Sequence, residues 1–197
     1  AGFVFALSGG SGCHTPEGGP VGAGGRELPT PFGTFYGTNI TPAPDTGIGR
    51  WSDDEIVAAI RAGYVRGRGV EAPVMPYYLY AGMADRDVAD LVAYLRSLPP
   101  VRRENRPAEI RIPLPGFAYR AWRLLFAPRV TAPAEAPADA LQHGRYLVDH
   151  VSICGDCHTP RNPPGAPDHD RYLAGVEDGP LGEVVPNITS DEQTGIG

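Results

Sequence analysis

The chain has 197 residues, 42% of them hydrophobic, with 26 glycines and 22 prolines, which leaves room for one large or two small domains and predicts a loop-rich globular protein with short helices. A formal net charge of −6 provides no basic stripe to offset phosphates and excludes nucleic acid as a partner. Three cysteines exclude a disulfide framework and a four-cysteine zinc site, and no run approaches the roughly 20 apolar residues that span a bilayer.

The opening "AGFVFAL" is short and lacks the charged start of a signal peptide. It leads into "GGSGCHTP" at residues 9–16, and "NITPAPDTGIG" follows at residues 39–49. In "WSDDEIVAAIRAG", Ser52 stands three residues before Glu55, a capping box. Ile56, Ala59 and Ile60 then share a helical face and Gly63 closes the helix. The only two methionines, Met75 and Met83, lie in "EAPVMPYYLYAGMADRD". In "ADRDVADLVAYLRSLPP", Val88, Leu91, Val92 and Leu95 fall at helical spacing, predicting an amphipathic helix stopped by Pro99 and Pro100.

Residues 101–139 hold six prolines and read as a connector. Within it "FAYRAWRLLF" predicts one short helix, whose Trp122, Leu124, Leu125 and Phe126 suit packing between domains or contact with a partner or membrane. Residues 144–151 give a helical approach to "ICGDCHTP" at residues 153–160, and the chain ends on "NITSDEQTGIG" at residues 187–197. No stretch alternates well enough to predict a sheet.

The chain repeats itself. Cys13-His14 aligns with Cys157-His158 at an offset of 144, and the two "NIT" segments align at 148 with seven of eleven positions identical. The first copy runs on for about fifty residues past Gly49, whereas the second stops at Gly197. Ala1 aligns with Arg145, so the first copy lacks the opening of the helical approach. The expectation is a fragment, cut after the second copy and before the first.

Cys154, Cys157 and His158 make the Cys-x-x-Cys-His pattern of covalent c-type haem attachment. On a helical turn, residues i, i+3 and i+4 share a face. Two thiols there can bond both vinyl groups on one porphyrin edge, with the imidazole under the iron. A zinc site would need a fourth ligand. A thioredoxin-like pair would need a βαβ setting, and a disulfide would leave His158 unexplained. For a distal ligand, Met75 between Pro73 and Pro76 is favoured by its stiffened loop, while Met83 reads as a packing residue. His143, His150 and His169 read as ordinary surface or loop histidines.

"TPFGTFYGTNITPAPDTGIGRWSDDEI", "VMPYYLYAGMADRDVADLVAYLRSLPPV" and "GRYLVDHVSICGDCHTPRN" resemble the multihaem cytochrome c subunits of periplasmic alcohol and gluconate dehydrogenases and related diheme cytochromes. The resemblance covers nearly the whole chain. It implies a mostly α fold of tandem class I cytochrome c domains, here residues 1–100 and an incomplete 140–197. It also implies two haems c, with His14 and His158 as proximal ligands, Met75 as the first distal ligand, and thioethers at Cys154 and Cys157. The family pattern has cysteine where this chain has Gly10, so Cys13 is expected to be the sole tether of the first haem. Asn39, Ile40, Asn187, Ile188 and Trp51 are candidate pocket residues, with Trp51 equally suited to a core.

The expected function is electron carriage by two haems, without substrate chemistry, outside the cytoplasm in a bacterial periplasm or facing it. The expected partners are redox proteins: a dehydrogenase subunit, a quinone-linked complex or a terminal oxidase. Membrane association would run through missing segments or a partner. The alternative is a haem enzyme acting on peroxide or a sulfur compound at an open iron.

Overall fold

The computed structural model describes residues 2–111, 115–127, 129–179 and 182–197. Helix α1 (Gly2–Leu7) turns at left-handed Gly9 into α2 (Gly10–His14). Helix α3 (Asp53–Ala62) carries the expected capping box: Glu55 N–H donates to Ser52 Oγ at 3.2 Å, and Ser52 N–H donates to Glu55 Oε2 at 2.9 Å. Gly63 ends it at φ +59°, its N–H bonding back to Ala59. Positive φ is the backbone state that closes a helix most cheaply with glycine.

A short helix α4 (Tyr77–Tyr80) precedes α5 (Asp85–Ser97). Val88, Leu91, Val92 and Leu95 are all buried, as their spacing predicts. Each such side chain contributes about 1.5–3 kcal/mol of burial. Leu98 is extended before Pro99, because proline disfavours α geometry in the residue ahead of it. α1 crosses α5 where Phe5 and Tyr94 stack at 5.1 Å. Gly2 permits the approach, since a Cβ there would meet the Tyr94 ring at 3.3 Å.

The expectation of no sheet is corrected. Strands β1 (Glu27–Thr30) and β2 (Gly33–Tyr36) form an antiparallel hairpin, and β3 (Tyr64–Val65) pairs with β4 (Gly69–Val70). β5 (Glu109–Ile110) joins the open edge of β2 and completes the order β1-β2-β5. The strands have two to four residues each, too few to build alternation, and β1 contains Pro29. Gly33 is required at φ +137°: a Cβ there would lie 2.2 Å from the Glu109 carbonyl. Residues 101–110, read from sequence as connector, therefore lie against the first half.

Beyond them, α6 (Gly116–Phe126) forms where the sequence predicts it. Trp122 faces inward against Tyr78, ring centroids 5.4 Å apart, while Phe117, Leu124 and Leu125 are largely exposed. α7 (Ala140–Tyr146) is capped by Asp139 and continues as a π-helical turn over Leu147–Val151 before α8 (Cys154–His158). Tyr146 and Val151 form a small second core with Ala84, supplemented by Val4 and Leu7. The second half thus completes its packing on side chains of the first. Among the described residues no helix is long and apolar enough to cross a membrane.

Candidate functional site

The two Cys-His segments fold alike. Each is a single helical turn entered through a left-handed residue, Gly9 at φ +71° and Ile153 at φ +47°. A β-branched residue is costly in that region, yet Ile153 is held there by packing against the core of the first half. His14 Nδ1 donates to the Thr38 carbonyl at 2.8 Å, and His158 Nδ1 donates to the Pro186 carbonyl at 2.8 Å. A carbonyl that fixes the Nδ1 proton leaves the Nε2 lone pair for a metal, the usual outer arrangement of a ligating histidine. Burial lowers the pKa of His14, with the Thr38 hydrogen bond opposing it, so the neutral, ligating form is favoured.

The carbonyls are placed by the repeated loops. Ile40 N–H donates to Gly22 O and Ile188 N–H to Leu173 O, at 2.9 and 3.0 Å. Gly24 N–H donates to His14 O and Gly175 N–H to His158 O, both at 2.8 Å. Asn39 Oδ1 accepts from Thr41 N–H at 3.0 Å, and its Nδ2 donates to Thr46 Oγ1 at 3.2 Å. Asn187 repeats this with Thr189 and Thr194 at 2.9 Å each. The conformation of each loop is therefore tied by its asparagine. Asn39 also donates to the carbonyls of Val101 and Arg103, so its amide is saturated within the protein. Ile40, Trp51 and Met75 border one core cluster, and Arg96 takes the Trp51 carbonyl. Met83 is fully buried in that cluster, a packing residue as its sequence context suggests.

Burial raises the pKa of Cys13, Cys154 and Cys157. That is the reverse of the lowered thiol of a redox dithiol. None of the three is paired in a disulfide, and among the described residues no three His, Cys, Asp or Glu groups converge on a bare ion. Cysteine thiols beside an imidazole pinned at Nδ1 fit covalent haem attachment with the iron bound at Nε2. A cysteine at position 10 would not fit as the side chains stand: its Cβ would lie 2.4 Å from the Phe5 ring and 3.0 Å from the Phe5 carbonyl.

His143 donates to the Pro137 carbonyl and His150 to the Leu79 carbonyl. The His150 ring lies against Gly82, where a Cβ would approach it to 2.3 Å, so His150 is half-buried within the turn Leu147–Val151 rather than in the surface or loop position expected of it. Sequence reasoning missed Tyr78, Asp156 and Arg161, which link the halves. It also missed Thr15 and Thr159, whose hydroxyls accept from Gly22 N–H and Leu173 N–H. The repeated Cys-His-Thr-Pro was the signal for the threonines.

Paired Cys-His turns with carbonyl-held imidazoles define a class, the c-type cytochromes. Residues 9–99 belong to the cytochrome c family, matching the family model described as Cytochrome c. It is 39% identical to the gluconate 2-dehydrogenase cytochrome c subunit of Pantoea cypripedii, covering 94% of this chain and 44% of that one. It is 38% identical to a diheme cytochrome c-type of Cereibacter sphaeroides, covering 94% and 65%. It is 33% identical to the cytochrome c subunit of a quinone alcohol dehydrogenase of Gluconobacter oxydans, covering 99% and 43%. The chain thus spans 43–65% of the length of these relatives.

Proposed function

We propose that the chain is a diheme electron-transfer module, serving as or within the cytochrome subunit of a periplasm-facing dehydrogenase complex. The carrying observation is the twinned His Nδ1–carbonyl bond at His14 and His158, each beside its own cysteine. In this reading His14 and His158 present Nε2 to the two irons, and Met75 supplies the distal thioether at the first. Cys13 alone tethers the first haem, and Cys154 and Cys157 tether the second. Haem supplies the Fe(II)/Fe(III) couple when bound. The protein orients each imidazole, holds its tautomer and excludes water on the core side.

The relatives named as gluconate, alcohol and fructose dehydrogenase cytochrome subunits support a dehydrogenase as donor. A quinone-linked complex or terminal oxidase is the acceptor. Asn39 and Asn187 act through the loops they tie, with Ile40, Ile188 and Trp51 as apolar wall. The test is the spectrum of the haem-loaded protein with peroxide or cyanide added. Two low-spin haems indifferent to both support a carrier. A high-spin signal that shifts would support the haem-enzyme reading instead.

A further inference from the structure

Tyr78 lies in α4, three residues after Met75, and is 2% exposed. Its hydroxyl leaves the first half and donates to Asp156 Oδ1 at 3.1 Å. Asp156 occupies the second variable position of Cys-x-x-Cys-His, between Cys154 and Cys157 and two residues before His158. Arg161 closes the triangle: Nη1 donates to Tyr78 Oη at 3.2 Å, and Nη2 bonds both the Asp156 carboxylate and the Asp156 carbonyl. The same guanidinium donates to Gly165 O at 2.9 Å. Trp122 seals the arrangement, its ring on Tyr78 and its indole N–H donating to Pro164 O at 3.0 Å.

Three features separate this cluster from an ordinary surface ion pair. Tyr78 is enclosed, so each partner removed leaves a desolvated polar atom behind. Arg161 grips backbone and side chain of the same residue, fixing the orientation of α8 as well as its distance. The first site has Gly12 at the corresponding position, so only the second helix offers this handle. The neighbouring residues place the cluster between the two sites. Tyr80, two residues on, donates to the Ser8 carbonyl just ahead of α2.

We propose that Tyr78, Asp156 and Arg161 are a positioning clamp that fixes the second haem-binding helix against the segment following Met75, and thereby sets the spacing and mutual orientation of the two haems. The clamp rests on the diheme reading. Its residues are not among the proposed ligands or tethers; they act through α8 and α4. Electron exchange between two centres depends on their separation, so a looser clamp slows it.

The experiment uses the haem-loaded protein, with haem number established first by intact mass. Dipolar electron paramagnetic resonance between the ferric irons then gives the iron–iron distance distribution. One narrow distance is expected in the parent protein. Tyr78→Phe and Asp156→Asn should each broaden or lengthen it and slow interhaem equilibration after flash reduction severalfold. The double variant should do little more than either single one. Arg161→Gln gives the same readout if Asp156→Asn fails to mature. A lowered melting temperature with unchanged distance and rate would overturn the clamp, leaving these residues as stabilisers only. A single haem by mass would overturn the diheme reading itself, and the clamp with it.

Discussion

At the scale of single residues, the two sites differ in what stands opposite the cysteine that both share. Position 154 is cysteine, whereas position 10 is glycine with the Phe5 ring over it. The expected consequence is three thioethers for two haems. Thiol labelling of the denatured, haem-loaded protein should therefore find no free cysteine. Gly10→Cys should add one labelled thiol, because Phe5 blocks the new side chain. Gly10→Cys combined with Phe5→Ala should return the count to zero. A Gly10→Cys protein without a free thiol would contradict the assigned packing.

The paired asparagines make a second contrast at this scale. Asn39 is 2% exposed and bonded to Thr41, Thr46, Val101 and Arg103. Among the described residues Asn187 makes only the loop bonds, and it is half-buried. Removing a buried, fully bonded amide strands its partners, so Asn39→Ala should cost about 2–4 kcal/mol. Asn187→Ala should cost about 1 kcal/mol or less, since water can replace its bonds. Denaturant titration of the two variants checks the order.

At the scale of elements, stability is concentrated where periodicity was strongest. Leu91 and its neighbours on α5 are buried against α3 and α1, so Leu91→Ala should cost about 2–5 kcal/mol. Leu124 on α6 is 69% exposed, and Leu124→Ala should stay within about 0.5 kcal/mol of the parent. Ser52→Ala should cost about 1 kcal/mol through the lost cap. Chemical unfolding of these three variants ranks them. Glu55 adds a pH signature: the Ser52 N–H, then Arg66, holds its carboxyl below the ordinary 4.5. A depressed pKa stabilises the fold above the ordinary value and ceases to do so as pH falls through the folded one. Glu55→Ala should thus flatten the stability profile below about pH 4.5 and nowhere else.

The same scale explains what the sequence disclosed. α3 and α5 were legible because caps and apolar spacing are local. The sheet was not, because β5 reaches β2 from some 75 residues away, as Gly33 pairs with Ile110, through strands too short to alternate. The role of residues 101–110 was hidden for a related reason. Their main service is to offer Val101 and Arg103 carbonyls to Asn39, and a carbonyl leaves no trace in residue identity. Cys13, His14 and the Cys154–His158 turn stood out because Cys-x-x-Cys-His has a fixed spacing and Cys-His-Thr-Pro occurs twice. Tyr78, Asp156 and Arg161 did not, since a polar contact across 78 residues has no period.

At the scale of the whole molecule, the second half leans on the first. Its buried apolar side chains are few, Tyr146, Val151 and Ala166 among the described residues. Tyr146 is completed by bonds to Asp87 Oδ2 and to the Ala84 N–H, the latter at 3.0 Å. The helix carrying Cys154 and His158 is therefore held in place by the first half.

The central claim is that both Cys-His turns hold haem, and the intact mass of the mature protein tests it most directly. The account predicts the chain plus two covalent haems, and the chain plus one haem for His14→Ala with Cys13→Ala. A parent protein carrying a single haem, with Cys13 free to label, would contradict it.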